Sequence, residues 1–473
     1  MLSIVHEIYN IIKTKNNMIE AEETLKQLME TTFARITGEV LSQIDQELTQ
    51  NKKNEGWTME RKDERTIQFM FGSVTYERAL MKDRKGKRSY PLDEYLCFAK
   101  YQRYSPLVEV KTAELASEQT YRGTAKTLSE WTAVTMSHQT VGKIVKEVGE
   151  VQQKADEALV QELEEAAELP EGKKVDYLYG EADGVFVRST QKKKQIEVRH
   201  AITYEGWDLN GKRVKLTSPY AIMTTKEINR FWQEVQAVTA HRYALSETQV
   251  VTGSDGGAGY TPDRFQEAFS QSNKPVLNQI DGYHVQQSLS AAFGVKSHEY
   301  KTKAKQALKD RDKENFTKWI DTYESTITDE KHLKRIEQCK KYLLSQWERI
   351  FDWREKVADP PENARSLGAI ESNQRHISFR MKKRGMHWSK AGCEAMVKVK
   401  QGILNNTLRS VYLHFRGRTT RQQRVFQQIV TRAKKNHEQA VTPSVRQGTF
   451  ALNGPHSSPM GKFVKGMKGY LVG

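Results

Sequence analysis

Apolar residues in the first fifty positions recur at helical spacing. Ile4, Ile8, Ile11 and Ile12, then Leu25, Leu28, Met29, Phe33 and Ile36, predict helix over residues 1–50. The pattern then switches to period two. Thr66–Phe71 and Val74–Arg78 alternate on either side of Gly72-Ser73, which predicts a β-hairpin turning at that dipeptide. Pro91 and Pro106 bracket an aromatic-rich connector. Residues 108–150 return to helical spacing, with Leu115, Ala116, Tyr121, Ala125, Leu128 and Trp131 on one face. A second helix opens at Ser137, a good N-cap, and runs through Ile144, Val145 and Val148. Two helices and a short turn are compatible with a helix-turn-helix, although any two packed helices give the same periodicity. On that reading Gln139, Thr140 and Lys143 contact DNA. A charged helix bearing Glu162, Glu164, Glu165 and Glu168 follows as a linker or bundle edge, closed by Pro170-Glu171-Gly172.

From residue 175 strands dominate. Tyr177–Val187, Ile196–Tyr204 and Val214–Ala221 read as three strands, and Lys226–Ala240 as a helix with Ile228, Phe231, Trp232 and Val235 on one side. Gln249–Thr252 is a fourth strand, Asp263–Ser270 a short helix and Pro275–Ile280 a fifth strand. The order β-β-β-α-β-α-β combines hairpin strands with crossovers and predicts a mixed α/β sheet. Residues 285–365 then read as wholly helical, up to the break at Asp359-Pro360-Pro361. The tryptophans of this insertion, Trp319, Trp347 and Trp353, are core residues by default. The predicted organisation is a helical region with a β-hairpin (1–105), a helical, helix-turn-helix-compatible domain (106–170), the first part of a catalytic core (171–284), a helical insertion (285–365), the second part of the core (366–405) and a basic tail (406–473).

Charge sharpens this picture. Residues 371–473 hold 20 Lys/Arg against three acids, a net +17, so the first 370 residues carry −1 of the chain's +16. A basic module on a neutral body points to a polyanion, most often nucleic acid. The plainer reading is a solubilising tail, which the interleaved Phe379, Trp388, Tyr412, Phe415 and Phe426 weaken. Cys97, Cys339 and Cys393 lie too far apart for a CxxC knuckle, and a reducing compartment is the default. No apolar run reaches about 18 residues, and the first twenty residues do not read as a signal peptide. The expectation is a cytoplasmic, nucleoid-associated protein with no membrane partner.

Three acids stand in unusual settings. Asp183 and Asp255 each lie in or at the end of an apolar run before a glycine, and Glu371 opens the basic segment. Acids are rarely buried unless paired or bound to metal. If the first and fourth strands are neighbours, as in a ribonuclease H-like sheet, Asp183 and Asp255 meet although 72 residues separate them. Glu371, on a helix after the insertion, could reach the same point. Three such carboxylates would hold two divalent ions roughly 3.5–4 Å apart.

The motifs Tyr179-Gly180-Glu181-Ala182-Asp183-Gly184-Val185, Gly253-Ser254-Asp255-Gly256, Ile280-Asp281-Gly282-Tyr283-His284 and Ile370-Glu371-Ser372-Asn373, in this order, resemble the DDE transposases of bacterial insertion sequences. The resemblance is nearest to the ISLre-type family within the Mutator-like group, and it covers nearly the whole chain. The Asp-x-x-His element at Asp281 and His284, and a helical insertion before the Glu, are similar to features of that group. The resemblance implies a ribonuclease H-like catalytic domain in which Asp183, Asp255 and Glu371 bind two Mg²⁺ ions, with Mn²⁺ able to substitute. The implied reaction is phosphodiester hydrolysis at an element end, followed by attack of the freed 3′-hydroxyl on another phosphodiester. The implied partners are double-stranded DNA with terminal inverted repeats, target DNA and further copies of the chain, as a dimer or higher oligomer.

Each residue also has a plainer reading. Asp183 and Asp255 could be turn residues, and Glu371 a helix N-terminal acid, with Glu362 a local rival. Asp281 and His284 either cap a helix or lie beside the site, where His284 would shape the phosphate position or donate a proton. Glu181 shares the face of Asp183 and reads as a peripheral acid. Arg375, one helical turn after Glu371, is placed to pair with it. Arg375, His376, Arg380, Lys382, Lys383 and Arg384 read as DNA-phosphate contacts or as a solvated face, and Trp388 as a base-stacking or a core residue. Two other functions compete. One is a DNA-binding regulator with a degenerate nuclease-like domain, which the presence of all three acids opposes. The other is a ribonuclease H-like nuclease without strand transfer, which leaves the N-terminal region and the basic segment unexplained.

Overall fold

The computed structural model describes residues 2–165, 172–209, 214–294 and 297–416. Helices α1 (Leu2–Thr14) and α2 (Met18–Asn54) open the chain, followed by the hairpin β1 (Thr58–Phe69) and β2 (Gly72–Lys82). The apolar face expected on α2 is not the one that packs: Met29, Phe33 and Ile36 are exposed. Instead α2 meets the hairpin through Ala34, Gly38, Leu41 and Asp45. The approach is so close that a Cβ on Gly38 would lie 2.2 Å from the Thr75 carbonyl oxygen. The hairpin also turns two residues earlier than expected. Phe69 pairs with Gly72, leaving Met70-Phe71 as the turn. Gly72 answers to α2, since a Cβ there would stand 2.9 Å from that of Ala34.

The short β3 (Arg88–Ser89) and helices α3 (Pro91–Leu96), α4 (Pro106–Glu118) and α5 (Tyr121–Trp131) lead to α6 (His138–Glu165). Ser137 caps α6, accepting from the Thr140 amide at 3.1 Å. The separate charged helix expected after residue 150 is the second half of α6, which runs unbroken for 28 residues. Polar positions Gln152 and Asp156 are buried on its inner face, where an apolar pattern does not register them.

The central sheet comprises β4 (Tyr177–Arg188), β5 (Gln195–Tyr204), β8 (Tyr220–Thr224), β9 (Gln249–Ser254) and β10 (Leu277–Ile280), in the order β10-β9-β4-β5-β8. β4 pairs antiparallel with β5, and β5 with β8, whereas β4 is parallel to β9 and β9 to β10. The fold is therefore a mixed α/β architecture, with the first and fourth strands adjacent as expected. The third strand is displaced. Residues 215–217 form β7 (Lys215–Thr217), which pairs with β6 (Gly206–Asp208) in a separate ribbon, and the sheet strand begins at Tyr220.

α7 (Ile228–Arg242) and α8 (Pro262–Ala268) cover one face, packing Phe231, Trp232, Val235 and Phe265 on Leu178, Ala182, Ile222 and Val250. The other face, with Val185, Val187, Val198 and Met223, is covered by α4 to α6 and by the last of the described helices. The expected helical insertion is present as α9 (Gly282–Phe293), α10 (His298–Lys309), α11 (Lys313–Glu324) and α12 (Glu330–Ser345), around a core of its own that includes Trp347. Trp353 is buried against the sheet, its amide donating to the Gln279 side chain at 2.9 Å.

α13 (Ala369–Asn373), α14 (Arg375–Met381), α15 (Lys390–Leu404) and α16 (Leu408–Arg416) return to the second face. α15 crosses α6 so closely that a Cβ on Gly149 would lie 2.4 Å from the Ala395 carbonyl oxygen. Beside the crossing, the fully buried Lys398 donates to Asp156 on α6 at 2.6 Å and to Glu234 on α7 at 2.7 Å. Burial pulls the Lys398 ammonium down, but the adjacent carboxylates carry it well above the ordinary lysine range. The basic tail expected from residue 406 is described only to residue 416, and there Leu408 and Tyr412 belong to the core. Among the described residues no helix is long and apolar enough to cross a membrane.

Candidate metal centre

Alternation along β4 puts Tyr179, Glu181, Asp183 and Val185 on one face, turned toward α13 and α14. Asp183 is buried and lies directly across from His200 on β5. Its Oδ1 accepts from the Gly184 amide at 2.6 Å, and Gln374 donates its Nε2 to Oδ2. The His200 ring is fully buried with no hydrogen-bond partner among the described residues, and burial, then His376, brings its pKa down to about 3. A neutral ring therefore lies across the strand pair from Asp183.

The parallel register of β4 and β9 pairs Ala182 with Ser254, so Asp183 and Asp255 follow at the same level on neighbouring strands. The Asp255 Oδ1 accepts from the Gly257 amide at 2.8 Å. Its backbone carbonyl accepts from Tyr342 of the insertion at 2.7 Å, and Arg349 donates to Ser254 Oγ at 3.2 Å and to Asn278 Oδ1 at 2.8 Å. The insertion thus holds the end of β9 in place. Asp281 ends β10: its amide donates to the Ser254 carbonyl at 3.0 Å, and its carboxylate caps α9 by accepting from the Tyr283 amide at 2.9 Å. That cap sets the first turn of α9, which carries His284. Asp281 is thus the helix cap, the plainer of the two expected readings.

The structure brings Asp183, His284 and Glu371 together: each offers one ligand atom, and the three atoms lie within 4.8 Å of one another. Asp255 stands beside this group rather than in it, though its charge acts on Asp183. The Asp183 carboxyl is pushed up to about 6, by burial first and then by Asp255, against the opposing pull of the Gly184 amide, His284 and Gln374. A cation among these groups would relieve that crowding, so the donor set fits a divalent ion. An open groove lined by Asp255, His284, Gln287, Ser288, Ala291 and Tyr342 reaches the group.

Glu181, expected as a peripheral acid, is fully enclosed. Its carboxylate accepts from Tyr204 Oη at 2.6 Å and from the amides of Gly368, Ala369 and Ile370 at 3.0, 3.1 and 3.1 Å. Its place on the Asp183 face was visible in the strand period, but three of its four partners lie 187 to 189 residues away.

The expected DNA-facing residues divide. Arg375, His376, Lys382, Lys383 and Arg384 are exposed, as are Gln139 and Lys143 at the start of α6, while Thr140 is half-buried with its hydroxyl 3.0 Å from that of Ser137. Arg380 and Trp388 correct the expectation, because both are core residues. Arg380 is 0% exposed, donates to the Ala116 carbonyl at 2.9 Å and lies over the Tyr121 and Trp388 rings. The Trp388 indole donates to the Met381 carbonyl at 3.1 Å. Neither is available to DNA. Arg375 forms no ion pair with Glu371 among the described residues, since the chain leaves α13 at Gln374 before α14 begins.

The model of an uncharacterised protein family (UPF0236) matches residues 12–413. The chain is similar to the "UPF0236 protein in vanSb 3′ region" of Streptococcus gallolyticus, with 31% identity over 466 residues, covering 98% of this chain and 100% of the relative. It is also similar to UPF0236 proteins of Caldanaerobacter subterraneus subsp. tengcongensis. One is 26% identical over 402 residues, covering 84% of this chain and 81% of the relative. Another is 25% identical over 407 residues with the same coverage, and its name carries eleven locus designations.

Proposed function

This chain belongs to the uncharacterised protein family UPF0236, and we propose that it is a DDE transposase, a metal-dependent enzyme that cleaves DNA at the ends of a mobile element and joins them to new DNA. The observation that carries this reading is the convergence of Asp183, His284 and Glu371 from β4, α9 and α13, with Asp255 alongside. Strand order and direction support a ribonuclease H-like core, because an antiparallel β4-β5-β8 meander continues into parallel β9 and β10. The exposed Lys382, Lys383 and Arg384 supply positive charge for phosphates. The relative whose name carries eleven locus designations has the multiplicity expected of an element that copies itself.

In this reading Asp183 and Glu371 would hold Mg²⁺ or Mn²⁺, which hard carboxylate oxygens suit, and Asp255 would reach an ion from beside the tight Asp183–His284–Glu371 group. When bound, the ions supply charge stabilisation and a strong oxygen nucleophile at neutral pH. His284, within that group, would offer a ring nitrogen to the ion or to a phosphate oxygen beside it. Gln374 restrains the rotation of the Asp183 carboxylate, and Tyr342 with Arg349 keeps the Asp255 backbone from shifting. Double-stranded DNA with terminal inverted repeats, target DNA and further copies of the chain are the partners, and the compartment is the nucleoid.

A gel assay with labelled DNA carrying the sequences that flank the gene, in Mg²⁺ or Mn²⁺, tests the proposal. Nicked and joined products are expected, both lost in Asp183→Asn and Glu371→Gln. Nicking without joining would favour a nuclease, and binding without nicking a regulator. Nicking that survives Asp183→Asn would remove the metal site as drawn.

A further inference from the structure

We propose that Glu181 is a positioning residue for the metal centre: its carboxylate fixes the helix bearing Glu371 against the strand bearing Asp183, and so sets their spacing. The inference rests on the metal-site reading above and assigns Glu181 a part in it without direct contact to the ion.

Glu181 lies two residues before Asp183, on the same face of β4. Its Oε2 accepts from the Gly368 and Ile370 amides, and its Oε1 from the Ala369 amide and the Tyr204 hydroxyl. These three amides are at the start of α13, where a helix has no carbonyl of its own to satisfy them. Glu371 is the next residue. α13 has five residues, no side-chain cap at Gly368 and one buried side chain, Ile370, so it holds its own start and direction only weakly. At its far end Gln374 donates to the Asp183 carboxylate. The helix is thus tied to one strand at both ends, through Glu181 before Glu371 and through Asp183 after it. A short helix tethered once could pivot and carry Glu371 away from Asp183; tethered twice, it cannot.

The arrangement leaves little slack. A Cβ on Gly253 of β9 would lie 3.0 Å from Leu367 Cδ1 and 3.3 Å from Glu181 Cγ, so the Glu181 stem is clamped between two elements. Removal of groups that orient metal ligands typically lowers affinity about 10–100-fold.

The test is Mn²⁺ affinity of the full chain, measured by calorimetry on folded protein, in a cycle of Glu181→Ala, Glu371→Ala and the double variant. Glu181→Ala is expected to weaken Mn²⁺ binding at least tenfold. In the Glu371→Ala background the same change should cost less than twofold, because Glu181 acts through Glu371. A merely structural role would give equal factors in both backgrounds, and that result overturns the proposal, as does unchanged affinity in folded Glu181→Ala. Should Glu181→Ala not fold, Glu181→Gln keeps the volume and removes one carboxylate oxygen, and the same comparison applies. Amide hydrogen exchange provides a readout independent of metal: both variants should expose Gly368, Ala369 and Ile370 while β4 stays protected, and unchanged protection there overturns the positioning role. If the unaltered chain takes up no Mn²⁺, the metal reading falls, and the exchange result alone decides whether Glu181 holds α13.

Discussion

Replacing Lys398 by Met removes the one cation that Asp156 and Glu234 share at the centre of the α6, α7 and α15 contact. Both carboxylates are almost fully enclosed, at 4% and 1% exposure, and lie 2.6 and 2.7 Å from the ammonium. Asp156 would keep the Gln401 amide at 3.0 Å, and Glu234 only the distant Lys226 and Arg230 at 3.8 and 4.0 Å. Breaking a buried pair in this way costs about 3–5 kcal/mol, a fifth or more of a typical folding stability of roughly 5–15 kcal/mol. A urea midpoint followed by tryptophan fluorescence reads the loss. Burial already raises the Glu234 carboxyl, against the attraction of Lys398. A raised carboxyl takes up a proton on folding, so its stability contribution is greatest below the ordinary glutamate range and shrinks as pH rises. The deficit of Lys398→Met should therefore be smaller at pH 5.5 than at pH 7.5. Lys398→Met with Asp156→Leu and Glu234→Met should regain most of the loss, because an apolar set of similar volume removes the stranded charges. A single variant within 1 kcal/mol of the original protein, or a triple variant no better than the single, would refute this account.

Gly149→Ala should lower stability by several kcal/mol, since the added methyl would meet Ala395 backbone atoms at 2.4–2.8 Å; a thermal melt with an unshifted midpoint would contradict that contact. Alanine at Lys382, Lys383 and Arg384 together should weaken DNA binding and reduce the salt slope of log K by up to ~3, whereas Arg380→Ala should destabilise the fold instead; filter binding at several salt concentrations and a melt separate the two. Burial, then Glu147, holds the Glu109 carboxyl up at about 9, so it is protonated in the folded chain and largely ionised when unfolded. Its contribution should be fully present below about pH 4.5 and fall steadily up to about pH 9, and Glu109→Gln should flatten that part of a stability–pH curve.

The first two strands of the central sheet were legible because Tyr177–Arg188 is strand-like in composition and Ile196, Val198, His200 and Ile202 alternate along Gln195–Tyr204. The third strand was misplaced because β7 and β8 are separated by only Ser218 and Pro219 and read as one run. The unbroken α6 was hidden because Gln152 and Asp156 are buried through hydrogen bonds rather than apolar contact. The fates of Arg380 and Trp388 depend on Ala116 and Tyr121, more than 250 residues earlier, which local spacing cannot register. The meeting of Asp183 and Glu371 was legible, since acids in such settings need a reason. The His284 ring rather than the Asp255 carboxylate completes the tight group, and the Asp255 Oδ1 accepts from the Gly257 amide instead.

The crossing of α15 on α6 has a consequence for how the protein is made. Val141, Val145 and Val148 share a core with Met396 and Val397, about 250 residues later in the chain. At about 5–20 residues per second, translation leaves that apolar face of α6 without its cover for roughly 12–50 s. The nascent chain therefore holds that face without α15 for much of its synthesis. A prematurely terminated product lacking α15 keeps every candidate metal ligand in sequence, yet exposes the core that supports them.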